Sequence, residues 1–300
     1  MKESETEEDS MEIRVLRYFL AVVREQNISK AAESLHLTQP TLSRQIVDLE
    51  AELGQPLFER GRRLALTEAG VMLRHRAEEA VALIDRIEAD FRHAEDVGGT
   101  LAIGSGVYAA GTELIRNLEE FSLRYPKVQY ELYTNSADTL RERLDAGLLD
   151  FALLAEPIDV AHYDYFRLPM KDVWGIFTHT DSPLAKKKKI RREDLAGRRL
   201  VCTGRLAIRK EVDHWLGDTD DLLMFARHNL VDNTVPLVFD GFADAITIEA
   251  AVAHYDTKKA VFRPLSPSLE STVVLAWKRF QPNFGVAGRF LEFLREKFVE

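Results

Sequence analysis

Residues Leu16–Gly70 read LRYFLAVVREQNISKAAESLHLTQPTLSRQIVDLEAELGQPLFERGRRLALTEAG, and the punctuation inside this stretch decides the fold around it. Thr38 is a strong helix N-cap, and Pro40 falls in the first turn, where a missing N–H costs no helical bond. Leu42, Ile46, Leu49 and Leu53 follow at steps of four, three and four, one buried stripe, and Gly54 supplies the stop. Working outward to the left, Ser29 predicts the cap of a short helix from Lys30 to His36, in which Ala31 and Ala32 allow close packing, with Leu37 in the turn. Ile13, Leu16, Leu20 and Val23 lie on one stripe of an earlier helix that breaks at Asn27-Ile28. To the right, Arg63-Leu64-Ala65-Leu66 alternates like one strand of a small hairpin, with Arg60-Gly61-Arg62 at its tip. Thr67 then caps a long helix to about His93. Leu73, Ala77, Ala80, Ile84, Ile87 and Phe91 repeat along it at steps of four and three, a heptad seam of the kind that pairs two chains.

Two short helices joined by a tight turn, the second capped by Thr-Gln-Pro, form the layout of a helix-turn-helix that reads double-stranded DNA. With Leu42, Ile46 and Leu49 inward, Pro40, Thr41, Arg44, Gln45 and Asp48 face outward beside Gln39 at the helix start. Thr, Arg and Gln are the side chains that meet base edges in the major groove, and an arginine that bonds one guanine twice discriminates by about 1–3 kcal/mol. Ser29, Thr38 and Ser43 suit phosphate oxygens, and Arg60, Arg62 and Arg63 suit the backbone or the minor groove. The plainer alternative is a solvated amphipathic helix with an incidental arginine. Helix pattern alone does not separate the two, but the ordered chain of caps, stripes and turns favours the DNA reading.

Bulk properties bound the rest. A length of 300 residues suggests two or three domains, and 46% hydrophobic with 30% charged residues is ordinary for a globular chain. The net charge of −9 sits awkwardly with nucleic acid, but it is unevenly spread. Residues 13–76 hold ten basic and seven acidic side chains, a local +3, whereas residues 1–10 hold five acids and one lysine. That acidic start, MKESETEEDS, reads as a disordered tail without the apolar core of a secretory signal, and Met11 as a candidate start of the folded unit. No apolar run approaches the roughly 18–20 residues that cross a bilayer, so a cytoplasmic location without membrane contact is expected. The single cysteine, Cys202, fits a reducing compartment.

Beyond Gly98-Gly99, which reads as a hinge, strands and helices alternate. Strands are expected at Leu101–Ile103, Val128–Tyr133, Phe151–Leu154, Trp174–Phe177, Arg199–Cys202, Leu222–Ala226 and Val273–Trp277. Helices are expected at 112–124, 136–147, 205–216, 231–243 and 286–298. Such alternation argues for α/β units with parallel strands, whose ligands sit at the carboxyl ends of the strands. Ser105-Gly106, Asn135-Ser136 and Thr203-Gly204 occupy three such ends, with Asn229 and Asn233 near a further crossover. Taken singly they are ordinary turn and cap residues; together they are candidate contacts for a small molecule, and helix dipoles there favour an anion such as a carboxylate.

The stretch from Leu16 to Gly70 strongly resembles the LysR-type transcriptional regulators. It follows AA-x-x-L-x-x-[ST]-Q-P-[ST]-L-S-R-Q-I, then LE-x-x-LG-x-x-LF-x-R, then LT-x-AG. Looser matches continue in HTDSPLAKKKKIRREDLAG and in FRPLSP with VLAWKR. The resemblance implies an α+β chain in parts: a winged helix-turn-helix over 11–68, a linker helix over 69–97 that pairs protomers, and an effector-binding region over 98–300. The latter resembles periplasmic binding proteins, with one lobe over about 98–172 and 266–300 and the other over about 173–265. The helix at 39–53 becomes the recognition helix, the partners become RNA polymerase and a homodimer or homotetramer, and no cofactor is implied. One departure is Phe239-Asp240-Gly241-Phe242-Ala243, where Ala243 replaces the second glycine of the family's Gly-x-Gly.

Other readings are weaker. The eight histidines show no metal-ligand spacing, and no cysteine lies near one. Gly104-Ser105-Gly106 is not a nucleophile elbow, so an enzyme lacks its acid, base or nucleophile. A transport binding protein leaves 11–93 unexplained. Cys202 has no second cysteine to pair with and reads as a small buried side chain, and Lys186–Lys189 as an exposed loop.

Overall fold

The computed structural model describes residues 11–59, 64–92, 97–158, 161–279 and 285–298. The chain divides into two units, Met1–Phe91 and Arg92–Glu300.

The first unit packs α1 (Ile13–Glu25), α2 (Ile28–Ser34), α3 (Gln39–Leu53) and α4 (Glu68–Arg92). Phe19 and Val22 of α1, Ala31 and Ala32 of α2, and Leu42, Ile46 and Leu49 of α3 close on one core. Each side chain as large as Phe19 or Leu42, both fully buried, favours the fold by about 1.5–3 kcal/mol. Thr38 caps α3 by accepting the Thr41 N–H at 3.4 Å, and Gly54 ends it with a φ of 65°. The short helix begins earlier than Ser29 predicts. Asn27 accepts the Lys30 N–H at 3.0 Å, so α2 runs over 28–34 rather than 30–36, and Ser29 is its second residue. Both residue types cap well; capping at Asn27 also brings Ile28 onto the core. His36, at φ 55°, and the Leu37 N–H on the Ala32 carbonyl at 2.8 Å make the turn into α3.

Behind α3 the chain folds back on itself. Phe58 and Leu66 form an antiparallel bridge, and the Glu59 N–H reaches the Ala65 carbonyl at 2.8 Å. The hairpin tip, with Arg60, Arg62 and Arg63, lies outside the described residues. Glu50 of α3 grips the leading arm, its Oε1 accepting the N–H groups of Leu57 at 2.6 Å and Phe58 at 3.2 Å. The Thr67 hydroxyl donates to the Pro56 carbonyl at 2.7 Å and accepts the Gly70 N–H at 3.0 Å, which caps α4. A Cβ on Gly70 would stand 2.1 Å from the Leu57 carbonyl oxygen, so only glycine lets α4 pass the arm here.

The heptad seam on α4 needs correction. Ala77 is 1% exposed inside this unit's own core, and Leu73 and Ala80 pack against the same core. The periodicity is real, but its first half faces inward, because any helix stripe that covers a core has nearly the same spacing as one that covers a partner. Ile84 is half-buried, Ile87 is exposed, and the side chain of Phe91 lies outside the described residues.

The second unit holds β1 (Gly99–Ser105), α5 (Ala110–Arg124), β2 (Val128–Thr134), α6 (Ala137–Asp145), β3 (Phe151–Ala155) and a long β4 (Tyr163–His179). It continues with β5 (Arg199–Thr203), α7 (Leu206–Leu216), β6 (Leu223–His228), α8 (Val235–Phe239), β7 (Asp244–Ile248) and α9 (Glu249–Val252). Finally come β8 (Ala260–Pro264), β9 (Glu270–Lys278) and α10 (Gly285–Phe298). Strand order is β2-β1-β3-β9-β4-β7-β5-β6, with β8 also on β4.

Parallel pairing holds for β1 with β2 and β3, and for β5 with β6 and β7. The parallel α/β units are as expected, and β4 and β9 add antiparallel pairing to them. β9 runs antiparallel to β3 and β4, and β4 antiparallel to β7 and β8. β4 pairs with β9 as far as Val173 and with β7 from Trp174, so the backbone crosses from one lobe to the other between these two residues. The helix expected over 231–243 is a 3-10 turn, Val231–Thr234, followed by the short α8. Gly241 at φ 67° turns the chain into β7, whose five residues are all buried. A strand buried on both faces shows no alternation, which hid β7 in the sequence. β8 and the first half of β4 were missed too; β8 is only five residues long, and 163–172 carries mixed polar and aromatic residues. In the first lobe α10 packs Phe290 edge-on against Phe121 and Phe151 at centroid distances of 5.0 and 5.4 Å.

Candidate functional site

The outer face of α3 carries the first site. Thr38, Gln39, Pro40, Thr41, Arg44 and Asp48 are exposed, and Ser43 and Gln45 half-exposed. Ser29 is exposed one helix earlier. The Arg44 side chain is 84% exposed and lies 3.9 Å from Asp48 one turn on. That contact is loose and solvated, so it is worth a few tenths of a kcal/mol and holds the arginine without consuming it. Val47, which the sequence reading passed over, is 57% exposed among these polar groups. Its place one turn from Arg44 was the available signal: an apolar residue off the buried stripe.

The second site is a cavity of about 630 Å³ between the two lobes. Gly106 after β1, Asn135 and Ser136 after β2, Thr203 and Gly204 after β5, and Asn229 after β6 all line it. The topology brings these strand ends together as expected. Ser105 and Asn233 do not line it. The Ser105 hydroxyl bonds to the Gly106 carbonyl, and Asn233 Nδ2 donates to Asn229 Oδ1 at 3.1 Å, so both are turned to local bonds. Ser136 serves twice, as a lining residue and as the cap of α6.

The lining side chains that escaped the sequence reading include Tyr108, Arg141, Trp174, Arg205 and His228. Each stands alone in its segment, without motif or period, and only the fold gathers them. Trp174 Nε1 donates to Ser271 Oγ at 2.5 Å, and Arg205 Nη1 to the Ala155 carbonyl at 3.2 Å. Burial lowers the Arg205 pKa and raises that of Tyr108. His228 is buried with neither ring nitrogen in a hydrogen bond, and loss of solvent lowers its pKa to about 4. Asp172 lies under the start of α5. One oxygen accepts the Ala109 N–H at 2.9 Å, the other has no partner, and burial pushes the carboxyl up to about 6.

Remaining sequence features find plain roles. Cys202 is buried in the second lobe's core, and Lys186–Lys189 are exposed. Ala243 is buried among Val201, Val235 and Val238, so its methyl is accommodated where the family pattern has glycine.

A helix-turn-helix followed by a two-lobed α/β unit with a cleft between its lobes is the architecture of a ligand-responsive DNA-binding regulator. Residues 13–71 match the bacterial regulatory helix-turn-helix proteins of the lysR family, and residues 94–299 match the LysR substrate binding domain. The chain belongs to the LysR family of transcriptional regulators. It is 32% identical over 280 residues to the Hca operon transcriptional activator HcaR of Escherichia coli K12, covering 90% of this chain and 92% of the relative. It is 30% identical to the HTH-type transcriptional regulator YybE of Bacillus subtilis 168, over 97% of each. The fold is that of CbnR, a LysR family regulator, at a TM-score of 0.72 and 23% identity over 96% of this chain and 99% of that one. A full-length CbnR complex with its target DNA shares the fold at a TM-score of 0.71, with 23% identity over 95% and 99%.

Proposed function

We propose that α3 enters the major groove of an operator as one of a pair, and that an effector bound in the interlobe cleft alters the assembly's hold on DNA. The observation that carries this reading is the outward face of α3, where Thr41 and Arg44 are presented to solvent on a helix whose opposite face is locked into the core. Thr38, Gln39, Ser43 and Gln45 support the same face, and Ser29 faces a phosphate. Gly106, Asn135, Ser136, Thr203, Gly204 and Asn229 are the proposed effector contacts, Ser105 and Asn233 acting from behind them.

Pairing runs through α4. Since Leu73, Ala77 and Ala80 are occupied, the partner meets the flank that carries Met72, Leu83 and Ile87, of which Met72 is 67% exposed. These three fall within one side of the helix at 100° per residue. A homodimer or homotetramer then sets the spacing of two reading helices on a pseudo-palindromic site. The effector shifts this arrangement only by its differential affinity for the two states, and RNA polymerase is the downstream contact. The setting is the cytoplasm, in keeping with the absence, among the described residues, of any helix long and apolar enough to cross a membrane.

A mobility-shift assay on DNA upstream of the gene tests the reading. Retardation that survives competitor DNA and is lost with Arg44→Ala supports it; a folded dimer that retards nothing at low salt sinks it.

A further inference from the structure

Three of the cleft side chains that no motif announced, Arg141, Arg205 and His228, are cationic or hold a buried nitrogen without a partner. Arg205, half-buried at the N-cap of α7, gives one bond to the Ala155 carbonyl, and among the described residues no carboxylate lies within ion-pair distance of it. Burial disfavours the Arg205 charge most, Tyr108 and Asp138 favour it, and Arg141 of α6, on the other lobe, is near enough to oppose it. Arg141 is itself only partly satisfied. Its Nη2 donates to Asp138 at 2.6 Å, while its buried Nε has no partner. His228 is 8% exposed, lines the same cavity, and leaves both ring nitrogens unbonded. α7 begins with no side-chain cap on its first-turn N–H groups, at the wall made by Thr203, Gly204 and Arg205. The charges lining the cleft are three arginines (141, 205 and 227) against Asp138 and Asp232, an excess of one positive charge in a chain of net charge −9.

Resting on the reading of the cleft as the effector site, we propose that its ligand is a small organic monocarboxylate. The carboxylate sits between Arg205 and Arg141, takes further hydrogen bonds from the α7 N-terminus and His228, and leaves an apolar body against Tyr108, Trp174 and Ile248. Two guanidiniums on opposite walls repel until an anion lies between them, so the ligand's charge itself draws the lobes together. The single surplus positive charge matches one carboxylate; a doubly charged phosphate leaves a negative excess beside Asp138 and Asp232. A neutral ligand leaves the two cations with Asp138 as their shared counter-charge.

The test uses the full-length chain and a panel of monocarboxylic acids paired with their own primary amides, such as benzoate with benzamide and hexanoate with hexanamide, together with inorganic phosphate. Thermal stabilisation by at least one acid and not by its amide is expected. Arg205→Gln should weaken that acid by about 30-fold or more, the loss typical of removing one partner of a buried charge pair. Without ligand, Arg205→Gln should melt no lower than the parent, because it removes a half-buried cation that lacks an ion-pair partner and is opposed by Arg141. Stabilisation by amides or phosphate alone, a panel without a hit, acid binding that survives Arg205→Gln, or a ligand-free Arg205→Gln that melts lower each overturn the proposal. Thr203→Trp, which fills the cleft, separates the two levels. Acid binding that ignores it defeats the cleft reading itself, whereas neutral ligands blocked by it defeat only the charge assignment.

Discussion

The two sites of this chain are built in opposite ways. α3 lays its chemistry along one face of one helix, so its exposed polar groups are a few residues apart in sequence and their geometry follows from helix pitch. The cleft collects its groups from the ends of four strands and from both lobes, and His228, Arg205 and Arg141 meet because β4 carries the backbone from one lobe to the other. A local site fails one residue at a time. A convergent one is coupled, through charge and burial, to the stability of the unit that forms it.

Leu42 and Arg44 make the sharpest contrast, two residues apart on opposite faces of α3. Leu42→Ala removes a fully buried side chain and should cost about 2–5 kcal/mol of stability in the first unit, read by denaturant unfolding. If it is tolerated, the core that fixes α3 is not the one described.

Next in size is a pH effect in the second unit. His228 has a pKa of about 4 against an ordinary 6.5, so as pH falls between these values the unfolded chain takes up a proton that the fold refuses, and stability is lost. Asp172 does the reverse: raised from 3.8 to about 6, it takes its proton first in the fold, and stability is gained as pH falls through that window. Each amounts to about 3 kcal/mol, with opposite sign, so the parent protein should show little net slope between pH 4 and 6 from this pair. Asp172→Asn should expose the histidine loss and His228→Asn the aspartate gain; melting curves that stay parallel in all three proteins across that range break the assignment.

Arg44→Ala should cost about 1–3 kcal/mol at the operator and relax base choice at one position, with unfolding unchanged. Unchanged specific binding at fixed salt removes α3 from the groove. The smallest effect concerns Val47. If its methyls meet a thymine methyl, operator DNA made with deoxyuridine should bind the parent more weakly by up to about 1 kcal/mol, and Val47→Ala should erase most of that difference. Equal sensitivity in parent and variant takes Val47 out of the contact.

Legibility followed the same division. Thr38, Pro40 and Gly54 announced α3 because cap and stop signals act on the nearest backbone groups, and the helix boundary came out as 39–53. Ser29 misled because two neighbouring residues were equally fit to cap, and a tertiary contact of Ile28 favoured the other. On α4 the period was legible but not what it faces, since a core and a partner demand nearly the same spacing. Gly106, Asn135, Ser136, Thr203, Gly204 and Asn229 were found by their position after strands. β7 was not, because burial on both sides erases alternation.

What the linear chain determined by itself was the helix-turn-helix and most of the strands and helices of the second unit, because those rest on hydrogen bonds and side-chain periods within a few residues of one another. Tertiary structure decided which α4 residues stay free, how the strands reverse direction, and which cations share the cleft. Burial and electrostatic pairing depend on neighbours far along the chain, and no local pattern records them.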